Sequence, residues 1–312
     1  TTNNNIFVIG GSAALGRSHS EVMGAQILSN GVLSSWEEKS LLPERLILHN
    51  SAASENYVYV LGGYLDSIDG FNDTVNSVYL SDVSSGVPLS WIKLTSLPDK
   101  LALGGSVIIE NRIYYAGGFV RVSAGSFDHS RKIYMADINP QDGTLGSWTH
   151  IGDLPSPLSG FGMISDGNKI TVIGGYNADT NQHTDQVIEA EVQGNGTLSS
   201  WTPKNPLPRP INRSGVVKIG NLVVSVGGLS NNNEFIDNVY YAQIDENGSV
   251  GEWQLSPNHF PKKYCCGSLA ASNTHLYYSG GHDGGGYFDS VYEAEVIQGP
   301  EPTPPVEGIN LN

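Results

Sequence analysis

Arg213 and His49 are the residues best suited to chemistry by type and place, because both stand at the start of a short apolar strand that follows a loop. They do not stand alone. Arg45, Lys100, Arg209, Arg213, Lys262 and Lys263 lie in stretches ahead of such strands, and Arg17, Arg121 and Arg131 lie in the loops after a recurrent Gly-Gly. An arginine fork matches a carboxylate through two parallel hydrogen bonds, so this set suits an acidic ligand, either a carboxylate sugar or an acidic peptide. Asp66, Asp69, Asp99 and Asp179 are interleaved with the basic residues, which is also how ordinary solvated loop charges are distributed. A second pattern is the alternation Asn177, Asp179, Asn181, His183, Asp185, which in an extended segment would line one side with oxygen-rich groups suited to calcium or sugar hydroxyls. Half of the eight histidines (His19, His129, His183 and His282) fall in the post-glycine loops. The two cysteines are adjacent, Cys265 and Cys266, directly after Tyr264. Free buried thiols are expected there, with a vicinal disulfide as the alternative.

Composition narrows the partners. The 312 residues carry 16 Lys+Arg against 31 Asp+Glu, a net charge of −15, which repels phosphate backbones and anionic lipid. No nucleic-acid partner and no membrane insertion are expected, since no apolar run approaches the roughly 20 residues of a membrane helix. Adjacent cysteines give neither a disulfide framework nor a metal-binding Cys-x-x-Cys. No copper, iron or zinc requirement and no cofactor are therefore expected, calcium being the one ion the oxygen-rich run would suit. Few lysines, the acidic balance and sequons at Asn72, Asn195, Asn212 and Asn247 lean towards an extracellular or surface-exposed setting, on a secreted protein, a cell surface or a virion.

The elements that must position these groups repeat. An apolar strand ends in Gly-Gly six times, with second glycines at Gly11, Gly63, Gly118, Gly175, Gly228 and Gly281, spaced by 52, 55, 57, 53 and 53 residues. A further strand follows with a small residue at a fixed place (Ala25, Ser81, Ala136, Ala190, Ala242, Ala294). Then comes a tryptophan trailed by Leu-Pro or Phe-Pro: Trp36, Trp91, Trp148, Trp201 and Trp253, all five of the chain. A small twisted sheet cannot bury both faces by itself, so such units stack radially and shield one another. Glycines allow close backbone approach near the axis, and the aromatics fill the widening wedge towards the rim.

The glycine pair, the aromatics and the tryptophan at this period resemble the kelch repeat over about residues 6–296. The resemblance implies an all-β fold, a six-bladed kelch-type β-propeller of four-stranded antiparallel blades. The family consists mostly of binding modules with a minority of enzymes. Galactose oxidase has a Tyr–Cys crosslink that Tyr264 and Cys265 invite comparison with, but no Tyr-His pair here offers its remaining ligands. The plant specifier proteins' E-x-x-x-D-x-x-x-H pattern is absent. For the sialic-acid mutarotases, also kelch proteins, Arg213 with Glu44 or Glu234 would imitate an arginine–glutamate arrangement.

Within a blade the strands are named here axial, second, third and rim. Turns from axial to second and from third to rim share one face, and that face is uniform: Asn30-Gly31, Asp142-Gly143, Asn195-Gly196 and Asn247-Gly248 repeat around it. Loops from second to third strand and the crossovers between blades share the other face, and these differ in every blade. The site is expected on that diverse face. Its candidate ligand-binding residues are Arg17, Arg45, His49, Arg121, Asp179, His183, Arg213, Tyr264 and His282; no residue is assigned to catalysis or to a metal. The reading is a recognition module for a glycan or protein ligand, with an anionic one favoured. The alternatives are a sugar-acid isomerase or a structural subunit of a surface filament or virion that self-assembles through terminal strands. Residues 1–298 form the propeller and 299–312 a Pro-rich linker, in which Val306–Leu311 is expected to add a rim strand to blade six. The axial strand of blade one has no donor in the chain, which would leave it to residues ahead of Thr1 or to a neighbouring molecule.

Overall fold

The computed structural model describes residues 4–13, 17–65, 73–84, 90–123 and 125–296. Six antiparallel sheets follow one another along the chain. Blade one comprises Asn5–Ala13, Arg17–Gln26 and Glu37–Leu41, which are its second, third and rim strands. Blade two runs Asn50–Ala53, Tyr57–Leu61, Val78–Asp82, Ile92–Lys93, and blade three Gly105–Ile109, Arg112–Ala116, Lys132–Asp137, Thr149–Asp153. Blade four has Gly162–Asp166, Lys169–Ile173, Val187–Glu191 and Thr202–Pro203, and blade five Gly215–Ile219, Leu222–Val226, Val239–Ile244 and Val250–Leu255. Blade six has three described strands, Ser268–Ala271, His275–Ser279 and Val291–Glu295. Blade one thus begins at its second strand and blade six reaches its third, as the repeat columns require. The expected strand at Val306–Leu311 lies outside the described residues.

The second strands of blades two to five are buried on both faces, which is why they read as unbroken apolar runs such as Tyr57–Leu61 and Leu222–Val226. The core is correspondingly divided into wedges, one between each pair of neighbouring sheets. Tyr59, Leu61, Tyr115 and Tyr134 fill the wedge between blades two and three, and Ile6, Ala25 and Tyr277 the one between blades six and one. That last wedge closes the ring.

Three polar ties cross these wedges at fixed depths. Nearest the axis, the second glycine of one blade donates its N–H to a crossover carbonyl of the next: Gly63 to Leu101, Gly118 to Leu158, Gly175 to Ile211 and Gly228 to Tyr264, at 2.7–2.8 Å. Further out, a second-strand tyrosine donates to a turn glycine of the following blade: Tyr59 to Gly143 O at 2.8 Å, Tyr114 to Gly196 O at 3.4 Å, Tyr277 to Gly31 O at 2.6 Å. The Tyr277 bond joins blade six to blade one as the others join consecutive blades. Towards the rim, tryptophan Nε1 donates backwards, Trp148 to Thr95 O and Trp201 to Asp153 O.

The diverse face is not built of irregular loops. In each of blades two to six the residue after the glycine pair bridges a crossover residue, and in most of them a small satellite sheet results. Tyr64–Leu65 sits between Leu46–Ile47 and Asp73–Thr74, and Tyr176–Asn177 between Leu158–Ser159 and Gln182–His183. Phe119–Ser123 and Leu229–Ser230 form hairpins bridged to Ala102 and Asn212, and His282 bridges Cys265.

The first glycine of the pair is confined twice over. At Gly117 φ is +60°, and a Cβ there would stand 2.6 Å from Leu158 O. Gly167 has a similar φ of +54° but open space around it. Gly117→Ala should therefore cost at least about 3 kcal/mol, against about 1–2 kcal/mol for Gly167→Ala, in urea unfolding. Equal losses would show that the crossover carbonyl is not what requires glycine.

Candidate functional site

Each crossover ends in a residue of left-handed conformation, two positions ahead of an axial strand. These are Leu48, Leu103, Gly160, Arg213 and Cys266, with φ of +53°, +57°, +64°, +56° and +67°. Their backbones form a chain around the axis. Leu103 N donates to Leu48 O, Gly160 N to Leu103 O, Arg213 N to Gly160 O and Cys266 N to Arg213 O, at 2.7–3.1 Å. Four of the five are not glycine, and a left-handed L-residue is held only where its surroundings over-determine it. This chain sets the axial end of the diverse face.

Arg213 is its charged member. The side chain is half-buried, its Nε has no hydrogen-bond partner, and Nη1 reaches only Cys266 Sγ, at 4.0 Å. Among the described residues no carboxylate pairs with it. Beneath it Asn212 is buried, with Oδ1 unpartnered. His183 of blade four and His282 of blade six flank it. Burial holds the His183 imidazole below its ordinary value, and the nearby Arg213 charge pushes the same way against the carbonyls of Ser230 and Leu229. Burial and then the Arg213 charge likewise hold His282 down. Both rings are neutral at neutral pH, so the guanidinium is the charge of the site. Asp283 is exposed and turned onto the N–H groups of Gly285 and Gly286.

Cys265 and Cys266 form a vicinal disulfide, in place of the free thiols expected. His282 Nε2 lies 3.3 Å from Cys265 Sγ, and its ring meets Phe235 and Tyr287 with centroids 5.3 and 5.5 Å away. Three of the sequence candidates or their neighbours therefore converge: Arg213, His183 and His282. The cysteine pair joins them, and nothing in its sequence context pointed to His282 as a companion.

The remaining candidates go elsewhere. His49 belongs to blade two, across the ring from Arg213, and packs against Gly10 and Gly63. Phe161 occupies the same place against Gly117 and Gly175. His49 is thus a wedge residue, because the backbone turns its side chain back between blades. Tyr264 is buried, stacked on Phe288 at 4.5 Å and edge-on to Phe260; it is core, and its role at the site is its carbonyl, which holds Gly228. Arg121 donates to Tyr64 Oη at 2.8 Å and lies over that ring. Asp179 pairs with Arg131 at 3.4 Å. Arg45 is exposed on a crossover, and the Arg17 side chain lies outside the described residues.

Ion pairs also take three of the nine cations of the expected basic mouth: Lys100 with Asp73, Arg131 with Asp179, Arg209 with Glu234. Glu234 is thereby held by Arg209, and Glu44 faces Lys93 at 3.9 Å, so neither forms the arginine–glutamate arrangement with Arg213. The oxygen-rich run folds into a hairpin in which Asn177 Oδ1 caps Asp179 N and Asn181 takes the Tyr176 hydroxyl. Its five side chains do not lie along one side of an extended segment.

Sheets stacked in a ring, tied axis to rim and closed between the last and the first, define a β-propeller. In sequence the chain is similar to kelch-repeat proteins, which share this propeller architecture. It is 25% identical to the kelch-like protein terF of Aspergillus terreus over 203 residues, covering 64% of this chain and 42% of that protein. Beta-scruin of Limulus polyphemus is 25% identical over 56% of this chain and 18% of its own length. Kelch-like protein 25 of Xenopus tropicalis is 26% identical over 58% and 28%. The chain spans less than half the length of these relatives. No family model matches it. The solved structure of YjhT superposes with a TM-score of 0.73 at 16% identity, over 93% of this chain and 91% of that one, a likeness of fold.

His49 makes the ring sensitive to acid. Burial lowers its pKa from 6.5 to about 4 against the opposing carbonyls of Leu46 and Ile9. Between those values the unfolded chain binds the proton and the folded chain does not, so stability rises with pH across that window and is lost as pH falls towards 4, by about 2–3 kcal/mol. His49→Phe, copying Phe161, should remove this part of the slope while keeping stability at pH 7. An unchanged slope in chemical denaturation would place the sensitivity elsewhere.

Proposed function

We propose that this propeller is a recognition module whose diverse face binds a protein partner through a carboxylate seated on Arg213. The kelch repeat gives the coarse class, an interaction module; the finer reading rests on one observation, the half-buried guanidinium with no carboxylate partner among the described residues. A charge placed there without a counter-ion is stabilised when a ligand supplies one, and the pairing is stronger than on open surface. Val122 and Phe127 at the tip of the blade-three hairpin and Tyr287 in blade six are exposed apolar side chains on the same face. Tyr287, packed on His282, is an aromatic anchor of the kind found with arginine at the centre of protein interfaces, which favours a protein over a free sugar acid. The oxidised Cys265–Cys266 pair supports an extracellular or surface setting.

The test is selection from a displayed peptide library, run beside an array of carboxylate-bearing and neutral glycans. Enrichment of peptides combining Asp or Glu with an apolar residue is expected. Arg213→Ala should weaken their binding at least about tenfold, and Asn195→Ala, on the uniform face, should leave it unchanged. Binding that depends on Asn195 but not Arg213 would sink the reading. Binding confined to acidic glycans would replace the protein partner with a carbohydrate.

A further inference from the structure

We propose that reduction of the Cys265–Cys266 disulfide opens a three-donor site for a soft divalent cation of the zinc or cadmium kind, formed by the two sulfurs and His282 Nε2. The three ligand atoms already lie within 4.8 Å of one another. Two thiolates and an imidazole are the donor set such cations prefer, and three protein donors leave a fourth position open towards the mouth.

The framework that brings them together does not depend on the sulfur–sulfur bond. Cys265 and His282 are held opposite each other by a reciprocal backbone pair, Cys265 N to His282 O and His282 N to Cys265 O, both 3.1 Å. Cys266 is fixed by its N–H on Arg213 O, and the Phe235 and Tyr287 rings pack around the imidazole. Arg213 Nη1 points at Cys266 Sγ and would donate to it as a thiolate, a supporting contact of the kind that orients metal-bound sulfur. One rearrangement is needed. His282 Nδ1 now accepts the N–H of Gly284 at 3.2 Å, so its proton sits on Nε2. Binding moves that proton to Nδ1 and releases Gly284, which is exposed at the start of a run of three glycines and can turn to water.

The steps balance. A water-soluble phosphine takes the disulfide to two thiols, consuming one water and becoming its oxide. The cation then displaces both thiol protons, and two protons leave per cation bound. Sequence spacing hides this site, since adjacent cysteines and a histidine sixteen residues on match no metal-binding motif; only the bridge between crossover and post-glycine strand joins them.

The whole chain, reduced and freed of phosphine without air, is titrated with Cd2+ while the ultraviolet thiolate-to-cadmium charge-transfer band is followed. The band should saturate at one equivalent, with two protons released, and should be absent from the disulfide form. Cys266→Ser should abolish the high-affinity band, and His282→Gln should weaken it at least about tenfold, because loss of a ligand exceeds the effect of losing an outer contact. The proposal is overturned by reduced protein giving no band at one equivalent, by His282→Gln binding as tightly as wild type, or by reduction abolishing the near-ultraviolet circular dichroism of the fold.

Discussion

The bond from the second glycine of a pair to a crossover carbonyl of the next blade, made by four of the six pairs, is the contact on which the ring hangs. It runs backbone to backbone at 2.7–2.8 Å between blades two and three, three and four, four and five, and five and six. Neighbouring sheets can come that close only if the strand end carries no Cβ, and Gly117 would place one 2.6 Å from the oxygen being bonded. A single bond of this kind contributes about 1 kcal/mol, yet leaving the buried N–H and carbonyl unmatched would cost more than the bond is worth. The repeat is therefore held to Gly-Gly by polar satisfaction as much as by space.

From that contact the rest of the diverse face follows. A crossover pinned by its carbonyl must still turn into the axial strand, and it does so through one left-handed residue two positions later. Those residues bond to one another around the axis, so the identity at this single place decides what each blade presents there. The place is taken by leucine in blades two and three, by Gly160 in blade four, where Asn212 Oδ1 and the Arg213 side chain fill the room a Cβ would need, and by Arg213 and Cys266 in blades five and six. Tyr264, one step along the same crossover from Cys265, is committed to the wedge by its ring and to Gly228 by its carbonyl.

Charge behaves in the same local fashion. A chain of net charge −15 has acidic groups to spare, and Lys100, Arg131 and Arg209 on this face each meet one. Arg213 meets none among the described residues: its Nη1 reaches Cys266 Sγ, and the ionisable groups of blades four and six that feel its charge, His183 and His282, are histidines. The fold itself assigns no ligand, as propellers with the same ties serve many ends; what distinguishes this one is the isolated guanidinium and the sulfur pair beside it.

The repeat was open to reading because its signals are local. Glycine pairs mark left-handed backbone, apolar runs mark strands shielded on both faces, and tryptophans mark the rim; six strand sets and a ring starting at a second strand follow from these alone. The uniform and diverse faces follow too, since antiparallel strands fix which turns lie together. Arg213 stands out in the sequence for its place at the start of an innermost strand, and its backbone joins the chain of bonds around the axis. His49 was singled out for the same reason, but position along a strand says nothing of which way a left-handed turn throws the next side chain, and His49 goes into the wedge that Phe161 fills elsewhere. Arg121 and Asp179 were visible as charges, though their partners, Tyr64 and Arg131, come from other segments. The grouping of Arg213, His183, His282 and the disulfide spans three blades, and contacts between blades depend on how sheets stack and twist around the axis. That stacking exists only once the ring has closed, so the sequence determined the scaffold and the tertiary structure decided the site.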